Sequence, residues 1–404
     1  MNKISFTISA ALGIAAVLGM SSCLSSDDQT QPITVYVTVQ DPSGLTGVTG
    51  GQNVSLISST GYSYTATTDG SGTATFTDVI PDIYNISTSW SITSDQYMAA
   101  TGETVQHGTY VLSGALASQV LVADATRITL STNCARKQSV LLSKVYYAGC
   151  KDNNNKNYLA GRFIELYNNS DEEVDIAGMY LCLMESGSTP AYVISTQTDY
   201  IYIKQVFQFP SEGNHILSPG EHIIVTNSAV DHTENASEDF DESAADFECK
   251  SNAANAPVNN PATPAMILVW TAFTGIPNMN LVQSGPCGIA LIETDENPAE
   301  WEPVYADGKS SGTQQLKAPA KYVVDGVDIL RYRTDGTVDV STKRFYDYID
   351  AGYTNITAVS GYTGEVVYRV VESTTDDGRP VLKDTNYSVD DWACTTDIEI
   401  GEYK

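Results

Sequence analysis

Histidine, the commonest metal ligand and acid–base group, occurs four times in this 404-residue chain, at His107, His215, His222 and His232. Three of these stand in one segment beside Glu212, Glu221, Asp231 and Glu234, the residue types that hold a transition metal when they converge on one point. No HExxH or comparable helical spacing links them, and His222 falls in a strand, where neighbours alternate sides. The expectation is solvated or core-edge histidines and no metal. Asp152 to Asn157, DNNNKN, offers the hard oxygen ligands that Ca²⁺ takes. It lacks a central glycine and a distal glutamate, and Lys156 stands where an oxygen is needed, so it reads as a polar turn. Asp325 and Asp328 have the side chains for glycoside hydrolysis, which needs two acids flanking a cleft. Their placement around Gly326 fits a hairpin better. There is no GxSxG elbow and no glycine-rich phosphate loop opening a helix. The reading is therefore a protein without catalytic residues or a cofactor. Glu165, between Ile164 and Leu166, is the acid expected to be partly buried, where it would fix the fold by hydrogen bonds.

Cysteine chemistry depends on compartment, and the N-terminus speaks to that. Met1-Asn2-Lys3 supplies a positive start, Ile4 to Met20 an apolar run, and Met20-Ser21-Ser22-Cys23 its end, the layout of a secretory signal. The apolar run is short for a transmembrane anchor. The segment resembles the bacterial lipoprotein signal, which implies a signal peptide over 1–22, lipidation of Cys23 and a polar tether over 23–31. Leu24-Ser25-Ser26-Asp27-Asp28-Gln29 resembles the export signal that sends Bacteroidetes lipoproteins to the outer face of the outer membrane. The implied location is the outer membrane, lipid-anchored and facing the exterior. Six cysteines remain: Cys134, Cys150, Cys182, Cys249, Cys287 and Cys394. An even number in an exported chain is compatible with disulfides, in any of fifteen connectivities. Plain buried thiols fit as well, and both readings stay open. No pair has CxxC spacing.

With 49 acidic against 21 basic residues the formal net charge is −28. Repulsion from phosphates and the lack of any Lys/Arg cluster exclude nucleic acid as a partner. Acidic excess reads first as solubility at a surface. The 24 tyrosines, 30 glycines and only 17% charged residues point to β-rich sandwiches, and the length to two or three domains.

The elements that must position these residues follow from alternation and turns. Ile33, Val35, Val37 and Val39 alternate with polar or amphipathic residues, a half-buried strand ending at Asp41-Pro42-Ser43-Gly44. Strands are expected over Val54–Ile57, Tyr62–Thr67 and Thr73–Phe76, then from Ile86, at Tyr110–Leu112 and at Ile128–Leu130. Thr67 to Ser87, TTDGSGTATFTDVIPDIYNIS, resembles the prealbumin-like or carboxypeptidase regulatory-like domain, through its turn at Asp69, Phe76 and Tyr84. Asp82 replaces the usual glycine. That domain would span 32–130. Further on, Arg162 to Leu181, RFIELYNNSDEEVDIAGMYL, predicts a ribbon of strand, acidic turn and strand. With Ser143-Lys144-Val145-Tyr146-Tyr147 before it, it resembles the lamin-tail fold, an immunoglobulin-like β-sandwich. Leu217 to Val225, Gly288 to Ile292, Val323 to Val327 and the tail Gly378 to Trp392, GRPVLKDTNYSVDDW, fit that resemblance in order. Tyr387 departs from the asparagine usual there. The second domain would span 138–404.

The resemblance implies an all-β protein of two consecutive sandwiches, prealbumin-like and then lamin-tail-like, in a Bacteroidetes surface lipoprotein family of unknown function. Members of that family are thought to act beside outer-membrane β-barrel transporters of the TonB-dependent type. The alternative is a structural or adhesive surface protein that binds glycan or a host protein. Long insertions over about 186–212 and 227–280 carry the individuality of the chain. Within them the acidic stretch 231–248 belongs to a loop over 227–262, read as disordered or as a flap pinned by Cys249. Tyr200, Tyr202, Phe207 and Trp270 are the aromatics expected to contact a partner, unless they fill the core.

Overall fold

Alternation builds the first strands as expected. The computed structural model describes residues 31–58, 60–102, 109–136, 139–187, 189, 192 and 199–404. The signal peptide, Cys23, the tether as far as residue 30 and His107 lie outside them. The chain divides into two compact units, one of residues up to Trp90 with Gly114–Thr132, the other of Ser91–Ser113 with Asn133–Lys404. The divisions fall inside two long strands.

The strands β1 (Ile33–Gln40), β2 (Asn53–Ser58), β3 (Ser63–Thr67), β4 (Thr73–Val79), β5 (Asp82–Thr93), β6 (Thr109–Leu121) and β7 (Thr126–Ser131) come first. In the first unit β1 is central, antiparallel to β4 and parallel to β7. Facing them run β3, β2, β5 and β6 in that order. Val35, Val37, Val54, Leu56, Phe76, Tyr84 and Ile86 fill the space between. Asp69 makes the tight turn by accepting the amides of Ser71 and Thr73, and Tyr84 is buried with its hydroxyl donating to the Ile80 carbonyl at 2.7 Å. A short helix unforeseen in the sequence, α1 (Ser94–Thr101), starts where the Thr93 hydroxyl accepts the Gln96 amide and the Gln96 side chain returns to the Thr93 amide.

In the second unit β8 (Asn133–Arg136) pairs with the opening of β6. Then come β9 (Val140–Tyr146), β10 (Cys150–Lys151), β11 (Asn157–Tyr158), β12 (Phe163–Asn168), β13 (Val174–Asp175) and β14 (Tyr180–Met184). These are followed by β15 (Tyr200–Gln208), β16 (Ile216–Leu217), β17 (His222–Thr226), β18 (Phe247–Glu248), β19 (Ile267–Thr271) and β20 (Ile289–Ile292). The last are β21 (Pro303–Val304), β22 (Gln315–Pro319), β23 (Val323–Val327), β24 (Val366–Arg369), β25 (Val371–Thr374), β26 (Pro380–Leu382) and β27 (Trp392–Thr395). Two sheets dominate. One runs β18-β17-β12-β9-β24-β27; the other runs β21-β22-β15-β14-β20-β23, with β19 added on β15. Between them Leu142, Ile164, Leu166, Leu181, Leu183, Phe207, Val225, Ile289, Leu291 and Val367 form one apolar layer. The architecture is all-β sandwich.

Two expectations are corrected. The strands in Arg162–Leu181 do not form a ribbon: β12 pairs with β9 and β17, whereas β14 pairs with β15 and β20. Every residue of both strands is buried, so each needs neighbours on both edges and cover on both faces, and the acidic turn hands the chain from one sheet to the facing one. Asn168 shapes that turn, its amide donating to the carbonyls of Glu172 and Leu217. The acidic insertion is likewise ordered: Ala236, Phe240 and Ala245 are buried, and the Phe240 ring meets Tyr146 and Phe163 edge-on at 5.0 and 5.2 Å.

Candidate functional site

The acids that could do chemistry are mostly fastened inside the second unit. Glu165 is fully buried. It holds Lys144 at 2.6 Å and accepts the Ser143 hydroxyl, the Gly401 amide and the Tyr403 hydroxyl. The Lys144 ammonium also lies 4.1 Å from the centre of the Tyr403 ring. Asp325 and Asp328 are not hairpin residues: both are buried, Asp325 in β23, the edge strand paired with β20, and Asp328 just beyond its end. Asp325 accepts the Leu142 amide at 2.7 Å and two bonds of 3.0 Å from Arg369, which also reaches Asp384 at 3.1 Å. Asp328 accepts the amides of Arg344 and Phe345 and stands 3.7 Å from Lys343. Burial raises both carboxyls, Asp328 to about 6. Each acid faces its own donors, and they do not share a cleft. A charged residue inside an apolar strand was the signal available for Lys144, Lys204 and Arg369, and the sequence reading passed over it. Lys204 is buried, donates to the Ser186 hydroxyl at 2.8 Å, and is pushed down to about 8 by that burial.

The histidines do not converge. His215 donates from Nε2 to the Glu212 carbonyl and packs on Phe247, 5.3 Å away; His222 opens β17. His232 is buried, with Nδ1 2.8 Å from the Tyr158 hydroxyl and Nε2 2.7 Å from the Ser228 carbonyl. Its neighbours are Glu242, also buried, and Asp239, which accepts the Cys150 thiol at 3.4 Å. Burial raises Asp239 and Glu242. A side chain at Gly161 would run into the Asp239 carboxylate, so the chain entering β12 lies directly on this cluster. Among the described residues no group of three His, Cys, Asp or Glu is placed to hold a metal. Asp152 accepts the amides of Asn154 and Lys156 within the β10–β11 turn.

Cys134, Cys150, Cys182, Cys249, Cys287 and Cys394 stand as free thiols in this structure. Cys249 and Cys287 sit in the inter-sheet core, while Cys182 belongs to the separate cluster on the other face of its sheet. Burial raises them: Cys134 to about 11, Cys150 and Cys394 to about 12. Such thiols are not nucleophiles at neutral pH.

The aromatics named as contact residues separate. Phe207 is a core residue, 1% exposed, because it faces the layer between the sheets. Tyr202 is buried too, stacked on Tyr192 at 3.5 Å between ring centres. Trp270 is half-buried against the second core cluster. Tyr200 remains at the surface, 36% exposed, with the Lys317 ammonium 4.2 Å from its ring centre. The Tyr346 hydroxyl donates to the Tyr200 carbonyl at 2.8 Å, and the Tyr346 ring stacks on Tyr348, itself exposed at its edge. Five tyrosines thus gather around the start of β15. At the other end of β15 a cavity of about 530 Å³ is bordered by Tyr180, Gln208, Glu293, Asp295 and Tyr322.

An all-β sandwich protein with a tyrosine cluster reaching the surface at Tyr200, and with Glu165, Asp325 and Asp328 buried on their own donors, is the class this geometry defines. Residues 218–397 match the profile of a family described as Protein of unknown function (DUF4876). A solved DUF4876 family protein from Bacteroides thetaiotaomicron is similar in fold, with a TM-score of 0.57 and 22% identity over 90% of this chain and 95% of that one. No curated protein matches the chain.

Proposed function

We propose that this protein is a non-enzymatic binding module, held at the outer membrane by lipid on Cys23 and working beside an outer-membrane β-barrel transporter. The observation that carries the reading is the tyrosine cluster at the start of β15. Tyr200 presents a ring at the surface while Tyr192, Tyr202 and Tyr346 pack beneath and beside it. Tyrosines whose neighbours already fix their rings lose little entropy on docking, and a large amphipathic ring gives contact area with a polar rim. Lys317 over Tyr200 adds a cation to that surface. The acids of the second unit support the reading from the other side, since Glu165, Asp325 and Asp328 are spent on backbone amides and buried cations. The signal-like N-terminus and the fold shared with a Bacteroides protein are compatible with the location.

The test is mild crosslinking of the tagged full chain in its own outer membrane. One stoichiometric β-barrel should be recovered, lost with Cys23→Ala and reduced with Tyr200→Ala. Recovery of no specific partner would transfer support to a free-standing structural or adhesive protein.

A further inference from the structure

A cavity of about 450 Å³ opens between the segment Asn157–Arg162 and the loops 253–257 and 275–278. Its size is that of sites which hold small ligands. The walls are pinned from within. Gln205, fully buried, donates to the carbonyls of Ile276 and Asn278 at 2.8 and 3.0 Å and accepts the Asn280 amide at 2.7 Å. Across the opening, Asn255 is held at a φ of 67°, and the Ala256 amide closes the turn onto the Ala253 carbonyl at 3.0 Å.

Arg162 lines this cavity. Its Nε donates to the Leu159 carbonyl at 2.8 Å and its Nη1 to the Leu281 carbonyl. In the second unit Arg331, Arg333, Arg344, Arg369 and Arg379 each pair with a carboxylate. Arg162, among the arginine side chains described there, pairs with none, in a chain with more than twice as many acids as bases. A guanidinium cannot shed its proton, and a sheltered charge without a counter-ion is costly. Two carbonyls compensate part of that cost; the cavity lining, which holds no Asp or Glu, supplies no anion. Lys151, outside the lining, donates to the side chain of Asn157, which is part of it.

We infer that this cavity binds a carboxylate-bearing sugar, with Arg162 taking the carboxylate and the amides of Asn157, Asn255 and Asn278 taking hydroxyls. A planar guanidinium matches the two oxygens of one carboxylate. Side-chain amides donate and accept at once, as sugar hydroxyls do. An amino-acid ligand would need an acid for its ammonium group, and the lining has none. The site goes beyond the proposed partnership and does not depend on it.

The full chain in detergent is titrated calorimetrically with D-glucuronate, D-galacturonate and short oligogalacturonides, with D-glucose as the neutral counterpart. A uronate should saturate the protein at least about tenfold more tightly than glucose and weaken with added salt. Arg162→Lys keeps the charge and loses the fork, and should weaken uronate binding by about tenfold. Asn255→Asp touches neither carbonyl held by Arg162; it should weaken binding several-fold through like charge, with the thermal midpoint unchanged. The inference is overturned if no uronate saturates, if glucose binds equally, or if both variants bind as the parent does. Saturation by a peptide's terminal carboxylate alone would also overturn it. Because no β-barrel is present in the titration, either result leaves the pull-down to decide the partnership separately.

Discussion

Glu165 shows what a single side chain does for this fold. It lies at the centre of β12, and its two oxygens collect partners from β9 and from the C-terminal residues. Breaking a buried ion pair by removing one partner strands the other charge. Glu165→Gln should therefore lower unfolding free energy by about 3–5 kcal/mol, whereas Lys144→Met with Glu165→Leu should cost far less, since an apolar pair of similar volume needs no solvation. Urea denaturation of both variants checks the order; equal losses would assign the effect to the Gly401 and Tyr403 bonds instead. In the other unit, Tyr84→Phe removes the hydroxyl bond to the Ile80 carbonyl and keeps the ring, for an expected loss of about 1 kcal/mol. The sequence made both residues visible. Glu165 stood between two aliphatics, and Tyr84 followed a proline corner. Its silence about Lys144, Lys204 and Arg369 has a physical cause: a cation in an apolar run can equally face water, and its partner lies far along the chain. Arg369 and Asp325, for example, meet from positions 44 residues apart.

At the scale of elements, strands with one wet face were the legible ones. β1 alternates buried and half-buried residues along nearly its whole length, and its expected range matches. Strands buried on both faces, such as β12 and β14, declare themselves as apolar runs but not their neighbours. That is why the expected ribbon proved to be a crossing between sheets. Of the candidate surface, Tyr200 was legible; Tyr202 and Phe207 were not separable from it, because an aromatic in a strand looks the same from either side. Arg162 carried no sequence signal of its own. The C-terminal residues are an element by function rather than by regularity. Gly401, at a φ of 74°, packs directly on the His222 ring and gives its amide to Glu165, Tyr403 packs on Tyr167 at 4.6 Å, and the Val371 amide donates to the Lys404 carbonyl. Deleting residues 399–404 should thus open the Lys144–Glu165 pair to water and cost more than an ordinary terminal truncation, about 3 kcal/mol or more by loss of buried contacts and bonds. Hydrogen exchange of the β9 and β12 amides reads this directly, and unchanged protection there would refute the role given to the tail.

For the whole molecule the decisive quantity is charge, and its sign sets the response to pH. At −28 the folded chain repels itself at neutral pH, and protonation relieves that. Several carboxyls act in the same direction. Burial raises Asp391 to about 7 and Asp328 to about 6, and raises Asp325, Asp239, Asp246 and Glu242 as well. An acid raised on folding is protonated in the folded state while the unfolded chain has released its proton. Between about pH 4 and pH 7 the folded state therefore binds more protons, and stability must fall as pH rises. Asp152, Asp241, Asp335 and Asp377 go the other way: hydrogen bonds from hydroxyls and amides lower them. Their contribution is complete above the unfolded carboxyl value and is lost as pH drops through their folded values, below about pH 4. The two groups bracket a maximum at about pH 4, well acid of neutrality. Urea midpoints measured from pH 3 to pH 8 should trace that peak, with the rise from neutral pH flattened by salt insofar as it comes from surface repulsion. A maximum at neutral pH would mean that Arg369 and Lys343 hold Asp325, Asp328 and Asp391 ionised against burial. The buried network would then be a set of true ion pairs, and acid would loosen the second unit at its centre.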